Sequence, residues 1–403
     1  MIHHSLPQRR PNDFSNVIPT VKEIIQKVKE KGDSALYELT EKFDKVKVNS
    51  IKVSPKELED QASRLDEKVV KALDLIYDQI RAFHETTVPP NIGGGLRGIS
   101  FGILWKSIER IGIYVPGGRH SYPSTLLMAG VPAEVAGVKE IYFASPPNPK
   151  GEIDPALAYV ALKLKIKEAY KIGGAQAIAA LAYGTESVRK VDKIVGPGNI
   201  YVQAAKYLVS SEVGIDGIEG PTELVIIADE SADPINVYFD MLAQAEHGSN
   251  TFIVLLSHSD ELISKINEKL VSENYSNIND YYIIKTKDLE ESIQIANQIA
   301  PEHLSLYVKN YDVVVNEIYN AGAISLGNTP PALIDYSAGP NHILPTNEWA
   351  RIRGGVTVYD YLKPIMYANS IEPYKEIIEA SMILANYEGF VIHGKSIGVR
   401  YGK

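Results

Sequence analysis

From Ile111 onward the chain alternates short apolar runs with helical patterns, and this rhythm restricts the fold more than any other feature. The runs are Ile111 to Val115, Glu140 to Ala144 and Val191 to Val195, with helices expected from about Ser124 to Val135 and from Asp154 to about Lys163. Such alternation belongs to a parallel sheet, because parallel neighbours need a crossover long enough to be a helix. A second series follows. It comprises Glu223-Leu-Val-Ile-Ile-Ala228, a helix from Asp233-Pro234, strands Thr251 to Leu256 and Tyr282 to Lys285, helices near 259–271 and 288–299, and a strand Leu304 to Val308. The expected class is therefore α/β, with two tandem half-size βα units and no residue-level repeat between them. A length of 403 residues exceeds one compact core and fits that division.

The first ninety residues read as helical scaffold. Thr20-Val-Lys-Glu23 has the form of a capping box opening a helix to about Glu30, and Gly32-Asp33 stops it and caps the next, through Phe43. Ser54-Pro55-Lys-Glu57 starts another, and its apolar period runs through Val70, Leu73, Ile76, Ile80 and Phe83 to Pro89-Pro90. Two literal motif matches fail on context. Residues 93 to 98 spell G-x-G-x-x-G, but a helix stop precedes them and the strand-like Ile99 to Trp105 follows, so they read as a flexible turn and not as a dinucleotide fingerprint. Gly389 to Ser396 spells a phosphate loop but follows a helix, Glu372 to Tyr387, where a strand is required.

The net charge of −9 argues against nucleic acid and anionic membranes as partners and suits a cationic ligand. With no cysteine, disulfides, thiolate metal sites and covalent thiol catalysis are all excluded. The N-terminus lacks an apolar leader core, and no run approaches the ~18 apolar residues of a membrane span, so a cytoplasmic enzyme is expected.

Chemistry concentrates in a few places. Gln244 and His247, three apart near the end of a helix with apolar residues at 235, 239 and 242, point the same way and offer two ligands, although such a pair at a helix end is more often surface residues or cap partners than metal ligands. The expected strands of the first series run into Tyr114-Val-Pro-Gly-Gly118, Ile172-Gly-Gly-Ala-Gln176 and Val195-Gly-Pro-Gly-Asn199. Each alone is ordinary turn chemistry, but three at the carboxyl ends of parallel strands point to a nucleotide-like ligand, with Tyr114, Gln176 and Asn199 offering a stacking face and amides. Glu302 and His303 are adjacent at a strand entrance, where a turn lets both reach one pocket. The polar stretch from Asn328 to Thr346, with Asp335 and His342, is too long for a mere connection.

Taken in order, Tyr114-Val-Pro-Gly-Gly, Gly173-Gly-Ala-Gln-Ala-Ile-Ala, Gly196-Pro-Gly-Asn, Gln244-Ala-Glu-His-Gly, Pro301-Glu-His-Leu, Asp335-to-His342 and Glu388-to-His393 resemble histidinol dehydrogenase, from about Gly32-Asp-Ser-Ala-Leu to the C-terminus. The resemblance implies oxidation of L-histidinol through the aldehyde to L-histidine with two NAD reduced, by a homodimer with one zinc per site. It implies zinc on Gln244, His247, Asp335 and the partner chain's copy of His393, NAD at Tyr114, Gln176 and Asn199, and Thr222, His342 and Glu388 around the substrate, which also meets the zinc ligands and His303. His303 is then the base for the alcohol proton and Glu302 the activator of water for the aldehyde step. The fold it implies is two incomplete Rossmann-like domains: residues 21–113 with 224–356, and 114–223. A 1–20 arm precedes them, and a 357–403 segment is exchanged in the dimer.

Two positions depart from the family. Thr222 stands where Ser is usual, and Glu219 lies in a loop that is normally apolar or small, so substrate fit is the property they would alter. The alternatives are a related dehydrogenase of another small amino or sulfo alcohol, a zinc hydrolase with Glu302 activating water, and a non-catalytic nucleotide binder that leaves Glu302-His303 unexplained. His3, His4, His84, His120 and His258 read as surface residues.

Overall fold

The computed structural model describes residues 2–3, 13–117, 120–248, 250–272 and 281–402. His4, half of the 1–20 arm and Gly118 of the Tyr114 loop lie outside them. The chain divides into two compact units, the first from Met1–Thr87 and Ile108–Tyr361, the second from Val88–Ser107 and Leu362–Lys403.

The first unit is mixed α/β with two parallel sheets. Its strands are β1 (Ile2–His3), β4 (Arg110–Tyr114), β5 (Glu140–Ser145), β6 (Glu168–Lys171), β7 (Lys193–Val195), β8 (Gly214–Ile215), β9 (Glu223–Ala228), β10 (Phe252–Ser257), β11 (Tyr281–Lys285), β12 (His303–Tyr307) and β13 (Ala323–Leu326). In the second unit β2 (Ile92–Leu96), β3 (Ile99–Ser107) and β14 (Leu362–Ser370) form an antiparallel sheet. The five-stranded sheet runs β6-β5-β4-β7-β8 and the six-stranded one β1-β11-β10-β9-β12-β13.

Strand alternation sends successive side chains to opposite faces, so a sheet covered by helices on both sides needs a continuous apolar run. Glu223-Leu-Val-Ile-Ile-Ala228 is such a run and is buried throughout at the centre of its sheet. Leu224, Ile226 and Ala228 pack into one core, Val225 and Ile227 into another. In the other sheet Tyr114, Tyr142 and Ile194 face one core, Ile111, Ile113 and Phe143 the second. The helices Pro123–Val135 and Gly174–Tyr183 are buried nearly all round, which their Ala- and Leu-rich sequences permit.

Several expectations need correcting. The first helix spans Ile18–Lys31 with no side-chain cap, so Thr20 lies inside it; Asp33 gives its carboxylate to Thr185 and Ser187 and not to its own helix. Ser54 does cap its helix, accepting from Glu57 N, but that helix ends at Ala62 and a separate one, capped by Asp66, spans Glu67–Thr86. Residues 93–95 are strand, and the turn is Arg97-Gly98, both at positive φ, closing a β2–β3 hairpin. On the helix Pro234–Ala245 the buried face is Val237, Tyr238, Met241 and Gln244; Ile235 and Phe239 are exposed. The sequence is apolar on both faces there, and packing on β9 selects between them. His84 is fully buried, not on the surface, because it lies on the stripe of Leu73 and Ile80, and burial pushes its ring down to about 4. His120 is exposed as expected, and His258 is partly buried with Nε2 3.5 Å from Glu230.

Candidate active site

In β9 and β12, parallel neighbours, His303 pairs with Leu224. The residues just before that pair, Thr222 and Glu223 on one chain segment and Glu302 on the other, therefore meet at the amino edge of the six-stranded sheet. Thr222 Oγ1 donates to Glu302 Oε2 at 2.6 Å and Glu223 N donates to the same oxygen at 2.8 Å. Gln244, at the carboxyl end of a helix antiparallel to the strands, donates from Nε2 to Thr222 Oγ1 at 2.6 Å. Thr222 thus links Gln244 to Glu302, a role its hydroxyl alone supplies.

His303 is buried with Nε2 3.4 Å from Asp335 Oδ1, and its Nδ1 has no hydrogen-bond partner among the described residues. Asp335, on the short helix Pro331–Tyr336, accepts at its carbonyl from His342 Nδ1 at 2.7 Å, while His342 Nε2 is 3.4 Å from Thr125 Oγ1. Burial sets the charges. It pushes the Glu302 carboxyl up to about 8 against the bonds from Thr222 and Glu223, and Asp335 up to about 7. It pushes His303 down to about 3 and His342 to about 4, with neighbouring imidazoles adding to the effect. At neutral pH the edge therefore holds neutral imidazoles beside carboxyls that are readily protonated.

His247 lies beyond the helix end at Ala245 and is exposed, with Nδ1 3.2 Å from the Gln244 carbonyl. Among the described residues, no three His, Asp or Glu side chains stand close enough to hold a metal ion. Gln244, His247 and Asp335 of the first unit would offer one amide oxygen, one imidazole and one carboxylate, a nitrogen and oxygen donor set compatible with zinc. The partly buried Asp335 carboxylate meets a ring that burial keeps neutral, so a dication would supply the counter-charge it lacks. Glu388 and His393 belong to the second unit, Glu388 ending the helix Lys375–Tyr387 and His393 on Val391–Gly398; both are exposed.

The three glycine turns stand at the other kind of edge, the carboxyl ends of β4, β6 and β7. Tyr114 is buried, and its hydroxyl accepts from Gly174 N at 3.0 Å. Gly196 has φ +127°, and a Cβ there would stand 2.1 Å from the Tyr114 carbonyl, so only glycine fits. Gln176 is buried in the first turn of the helix Gly174–Tyr183. Asn199 caps the helix Ile200–Val209, accepting from Tyr201 and Val202 N.

Sequence reasoning missed two supports. Glu223 accepts from Glu302 N and Asn347 N, and Lys206 is fully buried beside Asp216 and Glu219. The available signal was a charge opening or interrupting an apolar run, in Glu-Leu-Val-Ile-Ile and Ala-Ala-Lys-Tyr-Leu.

A parallel α/β scaffold with a desolvated carboxyl–imidazole pair at one sheet edge and backbone-rich turns at another defines a class of acid–base enzymes. Residues 7–401 match the family profile described as Histidinol dehydrogenase. The histidinol dehydrogenase of Saccharolobus solfataricus is 69% identical over 401 residues, covering 100% of both chains, and that of Methanocaldococcus jannaschii is 41% identical over 96% of this chain and 94% of its own. A crystal structure of histidinol dehydrogenase from Elizabethkingia anophelis superposes with TM-score 0.93 at 33% identity, over 98% of this chain and 94% of that one. The chain belongs to the histidinol dehydrogenase family.

Proposed function

We propose that this chain oxidises L-histidinol to L-histidine through L-histidinaldehyde, passing four electrons to two NAD in the last steps of histidine biosynthesis, in the cytoplasm. The observation that carries the reading is the Gln244–Thr222–Glu302 hydrogen-bond chain beside the buried His303. An alcohol is oxidised only as its hydroxyl proton leaves, and the neutral His303 ring is in the form that accepts one. An aldehyde must first be hydrated. Glu302, with a carboxyl that burial brings near neutrality and Thr222 and Glu223 fixing one oxygen, suits proton exchange with that water.

Gln244, His247 and Asp335, with His393 of a second copy of the chain, would hold a zinc ion, which supplies a fixed positive charge that orients the substrate. Tyr114, Gln176 and Asn199 would meet NAD at two helix amino ends, where backbone N–H groups favour phosphate. Thr222, His342 and Glu388 would line the histidinol site. In this reading residues 114–223 form the NAD half and 21–113 with 224–356 the acid–base half, each an incomplete Rossmann-like domain, while 357–403 crosses to the partner of a homodimer. Among the described residues the nine-residue β14 is the edge strand beside β3, and Ile365, Met366, Leu384, Tyr387 and Ile392 are exposed, which suits coverage by a second copy.

The deciding measurement is NADH absorbance with L-histidinol, NAD and zinc, expected to yield two NADH per histidinol. One NADH with aldehyde as end product would sink the four-electron reading. Sharing of the site is tested by refolding a mixture of His247→Ala and His393→Ala chains. Statistical mixing should restore about a quarter of wild-type activity, because half the dimers then hold one intact site; no recovery despite demonstrated subunit exchange would mean each site is built within one chain.

A further inference from the structure

Glu219 does not stand alone. Lys206, fully buried, directs its ammonium to Asp216 Oδ1 at 2.6 Å, Glu219 Oε2 at 3.0 Å and the Gly196 carbonyl at 3.0 Å. Asp216 Oδ2 in turn accepts from Gly196 N at 2.7 Å, and Arg353 donates to Glu219 Oε1 at 3.0 Å. Gln203, also buried, completes the bridge: its amide donates to the Gly198 carbonyl at 3.3 Å and accepts from Glu219 N at 3.0 Å. Every bond ends on one of two short segments, Gly196 to Asn199 or Asp216 to Thr222, or on Arg353. Beyond Glu219, Gly220 N donates to Thr346 Oγ1, and two residues later Thr222 meets Glu302.

We infer that Lys206, Asp216, Glu219 and Arg353 are positioning residues that hold the Asn199 loop at one sheet's carboxyl edge in fixed register with the Thr222 loop at the other sheet's amino edge. Two cations and two anions balance in an interior where apolar side chains of equal volume would serve stability as well, so geometry is what the charges add. The inference deepens the function proposed above and rests on it, since the two loops are those assigned to NAD and to the acid–base pair. Misalignment between them should slow turnover more than it weakens either binding event.

The test uses full-length Glu219→Ala, Arg353→Met and Arg353→Lys, with hydrogen exchange of the unliganded protein beside steady-state kinetics. Glu219→Ala is expected to speed amide exchange in residues 196–203 and 216–222 together, and to lower kcat about tenfold with both KM values within about threefold. Arg353→Met, which leaves the Lys206–Asp216 pair intact, should give the same pattern more weakly even if Glu219→Ala fails to fold, and Arg353→Lys should restore it in part. Faster exchange confined to 216–222, or a lower Tm with unchanged kcat, would overturn the inference. Because exchange is read without substrate, a wild type inactive on histidinol but with coupled loosening in the variants would sink the proposed function and leave the positioning network standing.

Discussion

At the carboxyl edge of the five-stranded sheet the groups that matter are backbone and amide, while at the amino edge of the six-stranded sheet they are ionisable. Tyr114, Gly174, Gly196 and Asn199 make the first edge with a phenol, two glycines and a helix cap, and the Tyr114 and Asn199 side chains are engaged by backbone N–H groups. Glu302, His303, Asp335 and His342 make the second, and burial moves all four from their ordinary values toward neutrality of charge. A turn that receives a ligand's backbone needs small residues and a strand end, which any parallel sheet supplies. The proposed proton-transfer pair, Glu302 and His303, needs desolvation from several directions, and it stands where β9, β12 and the elements bearing Gln244 and Asp335 converge.

Glu302→Gln should break the second edge most severely. The amide keeps the Thr222 and Glu223 contacts but exchanges no proton, so oxidation of supplied aldehyde should fall about 10³-fold, with alcohol oxidation reduced less than about tenfold. Equal loss in both halves would make Glu302 a holder of Thr222 and His303. At the first edge the matching lesion is Gly196→Ala, with its Cβ forced to 2.1 Å from the Tyr114 carbonyl at φ +127°. Its KM for NAD should rise about 10²-fold while calorimetry shows histidinol binding unchanged, since the clash reshapes the turn proposed to meet NAD and does not merely shift its register with the second edge.

The two edges were not equally legible. The strand–helix rhythm placed β4, β5, β9, β10, β11 and β12 within a residue or two, because period and apolar runs are local signals. The glycine turns were legible for the same reason. The six-stranded sheet's active edge was legible only as residues, since pairing His303 with Leu224 brings together positions seventy-nine apart, and no periodicity reports register between distant strands. Glu219 read as a feature of substrate choice, whereas Lys206 and Arg353 occupy its carboxylate. Leu362 to Ser370 carries no strand reading in the sequence, and the pairing of β14 with β3 was missed, because its side chains are mostly exposed and carry little apolar period.

A stability measurement sharpens the contrast from beneath the second edge. Asp240 lies on the buried face of the Gln244 helix and accepts from Tyr307 Oη at 2.6 Å, and burial raises its carboxyl from 3.8 to about 6. The folded state therefore binds a proton that the unfolded chain releases between those values. The stabilisation is fully present below pH 3.8 and is lost as pH rises through about 6, a change of about 3 kcal/mol by linkage. Asp240→Asn, which keeps an acceptor for Tyr307, should match wild type near pH 4 and be more stable by about 2 kcal/mol at pH 8. A constant difference across that range would mean that Asp240 is ionised throughout.

The smallest effect is expected at Asn199, and it asks whether the first edge uses side chains at all. Its Oδ1 accepts from Tyr201 and Val202 N and so caps the helix Ile200–Val209, leaving the amide nitrogen as the group that can donate to NAD. Asn199→Ala removes both functions and should cost about 1 kcal/mol of stability together with a several-fold rise in KM for NAD. Asn199→Asp keeps the cap, with a carboxylate that the helix amino end favours, but abolishes the donor and sets a negative charge beside an anionic ligand. Its Tm should therefore equal that of wild type while its KM for NAD rises at least as far as in Asn199→Ala. If Asn199→Asp leaves KM unchanged, Asn199 serves the helix alone, and the first edge recognises its ligand through Gln176 and the backbone of the three turns.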